Sequence, residues 1–595
     1  RSRSLIPPIA RASAPQFTQF EVGMLKRDGY LVCLLLALQL GFGGTALSAE
    51  EPLEKIQRAI EAGITYDEPG LAVAISVNDV VLVHHAAGLA NVELQSPITE
   101  KTVFHSASLS KQFTAFAVMS LIEAKRLNLS TSVQDVFPEL ATPFDQVTVH
   151  HLLTHTSGLR EFGTLASMAG WLSDDIRTQA QMWRLITRQT ALNFKPGARV
   201  EYSNTGYFLL AKIVEQIAGQ SLEDVLRESV FAPLKMARTH IVTDRNRLNP
   251  NRADSYLVSG TGVRKAVYVN EMIGSTGLQT NVIDLVRWAQ FLNHQEALNS
   301  QVSHLMQQRH SALNGDDAVF ANGQERRTYR GLDTWSHGGQ DAGFRSFLIR
   351  IPEANFALSI LSNRNDTDTA ALAFQLIDLY FELPADSLKQ KTPPTDDLAP
   401  FAGDYELYPG TIMSFRVDQG HLLLSMLGDT TQTALPRIGK HEFQLSVKPD
   451  RRIEFQRSTE AVTGFDFIVG QHGRIPAQRV NLKPFDASKV GLTEYVGSYY
   501  SAELAAEYTL LVRDGMLVAQ HARLPDMRLQ IFQSDTFWSN GSLPKVRFVR
   551  DSQGGIVGFT ASGPLAEGVL FVRQADTDYA IRQSHDHVFG GNGGD

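Results

Sequence analysis

The chain reads as an α+β protein: a mixed helix-and-strand domain followed by two small antiparallel β units. Three observations predict this. Over residues 50–385 helical periodicity and apolar–polar alternation take turns. Residues 389–400 then hold three prolines, two threonines and two aspartates, which is linker chemistry. Beyond the linker the chain repeats itself. Leu398-Ala399-Pro400-Phe401-Ala402-Gly403-Asp404-Tyr405 resembles Leu492-Thr493-Glu494-Tyr495-Val496-Gly497-Ser498-Tyr499, and the segment 415–422 resembles 511–517. Both halves alternate with closely spaced turns, so each predicts a barrel or sandwich of about 95 residues.

Taken in order, residues 50–62 place Leu53, Ile56 and Ile60 on one helical face. Residues 70–76 and 80–83 form a hairpin across Asn78-Asp79. A helix runs from Lys111 to about Ala124. Another spans about 147–153, with Thr156-Ser157-Gly158 as its C-cap signal. Residues 160–190 read as mostly helical, and Lys195-Pro196-Gly197 as a turn. Helices follow over about 206–217 and 282–292, paired strands over 335–363 and a last helix over about 369–381. The expected ranges are 1–49 for an upstream segment and signal peptide, 50–385 for the mixed domain, and 396–486 and 490–583 for the β units.

At 595 residues the chain exceeds one typical domain. A formal charge of −8, with no dense Lys/Arg window, argues against nucleic-acid binding. From Met24 the sequence shows Lys26-Arg27, an apolar run from Tyr30 to about Leu40, and Thr45-Ala46-Leu47-Ser48-Ala49. This predicts a secretory signal peptide cut after Ser48 or Ala49, the run being too short for a comfortable membrane span. Residues 1–49 carry five positive and two negative charges, so the remainder stands at −11. The sole cysteine, Cys33, lies in the apolar run, so the mature protein needs no disulfide and its nucleophile must be an oxygen. A periplasmic or secreted location follows.

The chemistry centres on residues 104–115, Phe-His-Ser-Ala-Ser-Leu-Ser-Lys-Gln-Phe-Thr-Ala. Ser108 and Lys111, three apart at a helix start, share a face, so an amine can reach a hydroxyl. A bare S-x-x-K is weak, and Ser542-Leu543-Pro544-Lys545 is a second instance. Two further patterns follow in order, Tyr202-x-Asn204 and His337-Gly338-Gly339. Their rivals, Tyr268-Val269-Asn270 and Lys489-Val490-Gly491, lack a following helix or fall between the repeats.

On these segments, residues 53–382 resemble the serine β-lactamase and penicillin-recognising hydrolase superfamily. The nearest branch is that of class C β-lactamases, D-aminopeptidases and related esterases. The matching stretches are 104–115, His151-Leu152-Leu153-Thr154-His155-Thr156-Ser157-Gly158-Leu159, 195–204, and His337-Gly338-Gly339 with Gly343-Phe344-Arg345. The resemblance implies an antiparallel sheet flanked by helices plus a helical subdomain. Two β units behind a histidine third motif are similar to D-stereospecific aminopeptidases.

The implied roles agree with the residue chemistry. Ser108 attacks a carbonyl, and Lys111, with its charged form disfavoured by desolvation, takes the proton. Tyr202 shares the proton or passes it to the leaving group. Asn204 binds the substrate amide. The N–H groups of Ser108 and Gln340, beside Gly339, form an oxyanion hole. No metal or cofactor is implied. Many relatives carry lysine where this chain has His337. Histidine is mostly neutral near pH 7 and grips a substrate carboxylate less firmly. The balance moves toward aminopeptidase, amidase or esterase activity, with β-lactamase and D-alanyl-D-alanine carboxypeptidase as alternatives.

Several residues carry plainer readings. His151 and His155 have metal-ligand spacing, but packing is favoured. His84-His85 reads as a strand end, His585-Asp586-His587 as a tail and Asp135 as a loop fixer. Arg345 is balanced between core support and substrate contact. A loop of the second β unit is expected to narrow the active-site mouth, with Asp526 or Asp535 meeting a substrate ammonium. The expectation is a secreted serine hydrolase forming an acyl-Ser108 intermediate on short peptides, amides or esters. Its partners are a small-molecule or short-peptide substrate and at most a second copy of the chain. A non-catalytic binding or assembly module is the competing class.

Overall fold

In the computed structural model the described residues are 50–62, 64–140, 142–244, 246–298, 301–308, 310–311, 320–384, 397–427, 431–445, 451–458, 461–469, 473–482 and 489–575. The expected signal peptide with Cys33, most of the linker and the His585-Asp586-His587 tail lie outside them. The chain divides into two compact units: 1–136, 148–155 and 206–385 in one, and 137–147, 156–205 and 386–595 in the other. The helical middle of the mixed domain therefore groups with the C-terminal β units.

The first unit is built on a seven-stranded sheet. Its strands are β1 (Leu71–Val77), β2 (Val80–Ala87), β3 (Phe320–Ala321), β4 (Gln324–Tyr329), β5 (Leu332–Asp341), β6 (Phe344–Ile351) and β7 (Phe356–Ser362). Their spatial order is β3-β4-β5-β6-β7-β1-β2, antiparallel throughout. Helices α1 (Glu50–Glu61), α2 (Ser110–Glu123), α3 (Asn204–Ala218), α4 (Val282–Leu298) and α5 (Thr369–Tyr380) accompany it.

The sheet is covered on both faces, which explains why β7 is buried at every position. On one face Ile56 and Ile60 of α1 and Phe374 and Ile377 of α5 pack on Val73, Ile75, Phe347, Ile349, Leu358 and Ile360. On the other face lies α4, where Gln290 Nε2 donates to the Ser76 carbonyl at 3.1 Å. Helix α4 also carries Trp288, stacked on Phe113 of α2 with centroids 4.5 Å apart. Helix α2 is buried along nearly its whole length. Its polar groups are satisfied locally: Trp288 Nε1 donates to Gln112 Oε1 at 3.0 Å, and Thr114 Oγ1 to the Gly274 carbonyl at 3.0 Å.

In the second unit, Phe162–Met168 and Gln179–Thr187 are helical, the latter started by a Thr178–Gln181 capping box. The first β unit contains β8 (Gly403–Tyr408), β9 (Thr411–Asp418), β10 (His421–Met426), β11 (Thr433–Leu435), β12 (Glu442–Gln444), β13 (Arg451–Arg457), β14 (Val462–Val469) and β15 (Gly473–Val480). They form an eight-stranded sheet ordered β11-β10-β9-β8-β15-β14-β13-β12, nearly closed by an Arg437–Phe443 bridge. The second contains β16 (Gly497–Ser501), β17 (Ala506–Arg513), β18 (Met516–His521), β19 (Leu524–Gln533), β20 (Thr536–Trp538), β21 (Lys545–Arg550), β22 (Ile556–Gly563) and β23 (Ala566–Arg573). These close into a complete barrel. The expected α+β architecture with two barrel-like units is therefore present.

The sequence repeat has a structural counterpart. Tyr405 Oη donates to the Phe401 carbonyl at 3.1 Å, and Tyr499 Oη to the Tyr495 carbonyl at 2.8 Å. Each first strand begins at a glycine of positive φ, Gly403 or Gly497. The space a Cβ would need there is taken by Arg479 or Arg573 from the last strand. Those arginines donate to the Ala402 carbonyl at 2.5 Å and the Val496 carbonyl at 2.6 Å.

Candidate active site

Ser108 lies in a 3₁₀ turn over Ala107–Leu109 rather than in the first turn of the helix, and α2 begins at Ser110. Ala107 adopts φ +50, so the chain enters the turn through the left-handed region. Ser110 Oγ fastens the turn, donating to the Ala107 carbonyl at 2.7 Å and accepting from the Leu278 N–H at 3.0 Å. Lys111 Nζ stands 3.2 Å from Ser108 Oγ and donates to the Ser275 carbonyl at 2.9 Å. The lysine is completely buried. Gly323, at φ +73, lets its loop lie on the backbone of Lys111 and Gln112, where a Cβ would come within 2.5 Å.

Strand β5 carries the third motif beside this turn. Gly339 pairs with Ser346 of β6, and Ser346 Oγ donates to the Ser106 carbonyl at 2.7 Å. A Cβ on Gly339 would stand 2.4 Å from that carbonyl and 3.1 Å from the Ser108 nitrogen. Glycine is thus what allows β5 to approach the Ser108 turn. Gln340 is the next residue on the same strand. His337 is buried, with Nδ1 2.5 Å from the Gly338 carbonyl.

His155 joins the same unit. The helix Val149–Leu153 ends with Thr154 as its C-cap. His155 takes the left-handed position after it, φ +58, a place expected for Gly158. Its ring lies 5.0 Å from that of Tyr207, whose Oη donates to the Leu153 carbonyl at 3.1 Å. Burial, then the charges of Lys111 and His337, hold the imidazole well below its ordinary value. A neutral His155 adds no positive charge beside Lys111. His105, three residues before Ser108, reaches Asp341 at the end of β5 at 3.2 Å and Thr276 Oγ1 at 3.0 Å.

Tyr202 and Asn204 belong to the other compact unit. Asn204 opens α3, two residues earlier than expected. Its N–H donates to Glu161 Oε2 at 2.9 Å, and the Thr205 N–H to the same oxygen at 3.2 Å. The carboxylate sits where a helix start favours negative charge. Thr205 Oγ1 donates to the Arg160 carbonyl and accepts from the Phe162 N–H, both at 2.9 Å.

The competing motifs resolve on local geometry. Ser542 lies in the turn before β21, and Lys545 pairs with Glu406 at 2.8 Å. Tyr268 packs against His105, with centroids 4.3 Å apart and the rings tilted by 44°. Both rings line a cavity of about 280 Å³ with Arg252, Gln279 and Phe344, apart from Ser108 and Lys111. His151 takes part in the Thr148 capping box. Asp135 accepts from the Ser132 N–H at 2.8 Å, fixing its loop. Arg345 donates to the Phe344 and Ala342 carbonyls at 2.7 and 3.3 Å, supporting its own turn. Asp526 and Asp535 differ from expectation. Asp526 accepts from Gln520 at 2.9 Å and pairs with Arg513. Asp535 accepts from Tyr495 Oη at 2.9 Å and from Arg550 at 2.7 Å. Both carboxylates are committed to donors of their own barrel.

Sequence reasoning missed Glu161, which is 43 residues from Asn204 and has no local motif. It also missed His155 as a neighbour of Lys111, although that histidine stands in a stretch quoted for the resemblance. Among the described residues no group of three His, Cys, Asp or Glu side chains could hold a metal ion. None of their helices is long and apolar enough to cross a membrane.

A D-aminopeptidase of Gluconobacter oxydans (strain 621H) is 27% identical over 328 residues, 55% of this chain and 62% of that enzyme's length. A D-aminopeptidase of Brucella anthropi is 24% identical over 537 residues, 85% of this chain and 96% of the relative. The solved octameric penicillin-binding protein homologue from Pyrococcus abyssi has the same fold, with a TM-score of 0.51 at 22% identity over 73% of this chain and 100% of that one. The Beta-lactamase family model matches residues 56–381, more than half of the chain, and the protein belongs to that family of serine hydrolases.

Proposed function

We propose that the protein is a D-aminopeptidase-like hydrolase that works through an acyl-Ser108 intermediate on short peptides or amides. The observation that carries this is the Lys111 amine, fully buried and 3.2 Å from Ser108 Oγ. Neutral Lys111 accepts the Ser108 proton as the Oγ–C bond forms. The N–H groups of Ser108 and Gln340 receive the oxyanion. As the C–N bond breaks, the proton passes through Tyr202 to the leaving amine. Water then cleaves the ester by the reverse proton path. Asn204 holds the substrate amide.

Two features favour this substrate class. His337 replaces a lysine that would grip a substrate carboxylate. The alignment with the Brucella anthropi relative called a D-aminopeptidase covers 85% of this chain, more than the mixed domain alone. The apolar run and small residues before position 50 support export, with the enzyme acting in the periplasm or outside the cell.

The test is a parallel assay of D-alanine p-nitroanilide, a short acyl ester and a chromogenic cephalosporin, with fluorophosphonate labelling of wild type and Ser108→Ala. The expected result is labelling lost in the variant and the anilide turned over fastest. Preference for the ester alone would replace the aminopeptidase reading with an esterase. A folded wild type that resists labelling would point to the non-catalytic module.

A further inference from the structure

The closed barrel is tied to the Tyr202-x-Asn204 motif by a short relay inside one compact unit. The hairpin joining β22 to β23 turns at Pro564-Leu565, with Leu565 at φ +60. The Leu565 carbonyl accepts from the Glu161 N–H at 2.8 Å and from Asn193 Nδ2 at 3.0 Å. The Pro564 carbonyl accepts from Thr164 Oγ1 at 2.5 Å, and the Glu567 carbonyl from Arg160 Nε at 2.9 Å. Arg160 is 4% exposed and also pairs with Glu503 at 2.7 Å. Asn193 closes the frame, accepting from the Glu567 N–H at 2.9 Å and donating to Glu201, beside Tyr202, at 2.8 Å.

On its other side the same short segment holds the start of α3. Glu161, 7% exposed, receives the Asn204 and Thr205 N–H groups on one oxygen. These are helix-start donors that the helix cannot satisfy itself. Moving Asn204 would leave them buried and unpaired, a costly state. Moving Glu161 would break its bond to the hairpin.

We infer that the β22–β23 hairpin, acting through Glu161, sets the position of the Tyr202-x-Asn204 motif, so that the terminal barrel is a working part of the hydrolase. Glu161 is a positioning residue, and the inference rests on the serine-hydrolase reading above. It differs from a barrel that only narrows the active-site mouth. Under that simpler role, loosening the barrel broadens substrate acceptance. Under the role inferred here, turnover falls for every substrate that needs Asn204.

The experiment uses the full chain and two readouts, kcat/KM for D-alanine p-nitroanilide and the rate of fluorophosphonate labelling of Ser108. Leu565→Pro forces φ to about −65° and displaces the hairpin carbonyl, whereas Leu565→Gly keeps positive φ available. Glu161→Ala removes the acceptor, and Glu161→Gln restores a neutral one. Leu565→Pro and Glu161→Ala are expected to lower kcat/KM by about tenfold to a hundredfold, with labelling within about threefold of wild type. Leu565→Gly retains activity, and Glu161→Gln recovers part of it. Unchanged kcat/KM in Leu565→Pro and Glu161→Ala overturns the inference. So does a fall in labelling equal to the fall in kcat/KM, since that reports general unfolding. A wild type that cannot be labelled defeats the hydrolase reading, and this inference with it.

Discussion

Replacing Gly339 by alanine probes how closely the third motif must approach Ser108. The added Cβ would meet Ser346 Oγ at 2.3 Å, the Ser106 carbonyl oxygen at 2.4 Å and the Ser108 nitrogen at 3.1 Å. The serine hydroxyl can rotate away, giving up its bond to that carbonyl. The Ser106 oxygen is backbone and must move with the turn. Ordinary carbon–oxygen contact needs roughly 3.3–3.5 Å, so β5 and the Ser108 turn must separate by about 1 Å. A displacement of that size costs about 10²-fold in rate. The two donors assigned to the oxyanion would separate by the same amount, and losing one such donor costs about 3–4 kcal/mol. Gly339→Ala is therefore expected to lower kcat/KM for a short acyl ester by about 10²-fold. The neighbouring Gly338→Ala is the control, because its Cβ meets nothing closer than 3.6 Å. Steady-state kinetics with thermal unfolding of both variants make the measurement. A Gly339→Ala enzyme within about threefold of wild type would refute the reasoning, since a shift of about 1 Å at the reacting centre is expected to cost about 10²-fold.

Two further outcomes are expected. Burial, then the neighbouring His150, lowers His310 to about 4 from 6.5, so the folded state resists a proton that the unfolded chain accepts. Stability from this group is full above pH 6.5 and is lost as pH falls toward 4, by about 1–2 kcal/mol after allowance for partial solvent access. Denaturant titrations at pH 7 and 4.5 should show this slope, flattened in His310→Gln. In the nearly closed barrel, Phe455 lies within 5.7 Å of the rings of Phe401, Tyr405, Phe415, Phe443 and Phe465. Phe455→Ala should destabilise that barrel by about 3–5 kcal/mol, read as an earlier denaturant transition; an unchanged midpoint would contradict the packing.

Much of the architecture was legible because its causes are local. The hairpin at Asn78-Asp79 and the paired strands over 335–363 follow from alternation and turn residues. The repeat was visible because each copy needs a tyrosine to reach back four residues and a glycine to admit an arginine. The S-x-x-K turn was legible as a spacing, although Ser108 falls in a 3₁₀ turn and only Lys111 in the helix. The misplaced features are those where a backbone position was filled against expectation. His155 occupies a left-handed position where glycine was expected. Asp526 and Asp535, expected to meet a substrate ammonium, are paired instead with Arg513 and Arg550, which other strands of the barrel bring beside them.

By itself the sequence determined the hydrolase family, the two barrel units and the serine–lysine pair, since motif order, repeat phase and helical spacing are properties of the chain. Tertiary structure alone decided that Lys111 is completely buried, that glycine at 339 brings β5 against the Ser108 turn, and that residues 156–205 belong with the C-terminal barrels. It also decided that Glu161 holds the start of α3 while the Leu565 carbonyl holds Glu161. Those contacts join residues 43 and 404 positions apart. No periodicity encodes them, because they arise when separately specified elements pack and their buried donors must find acceptors.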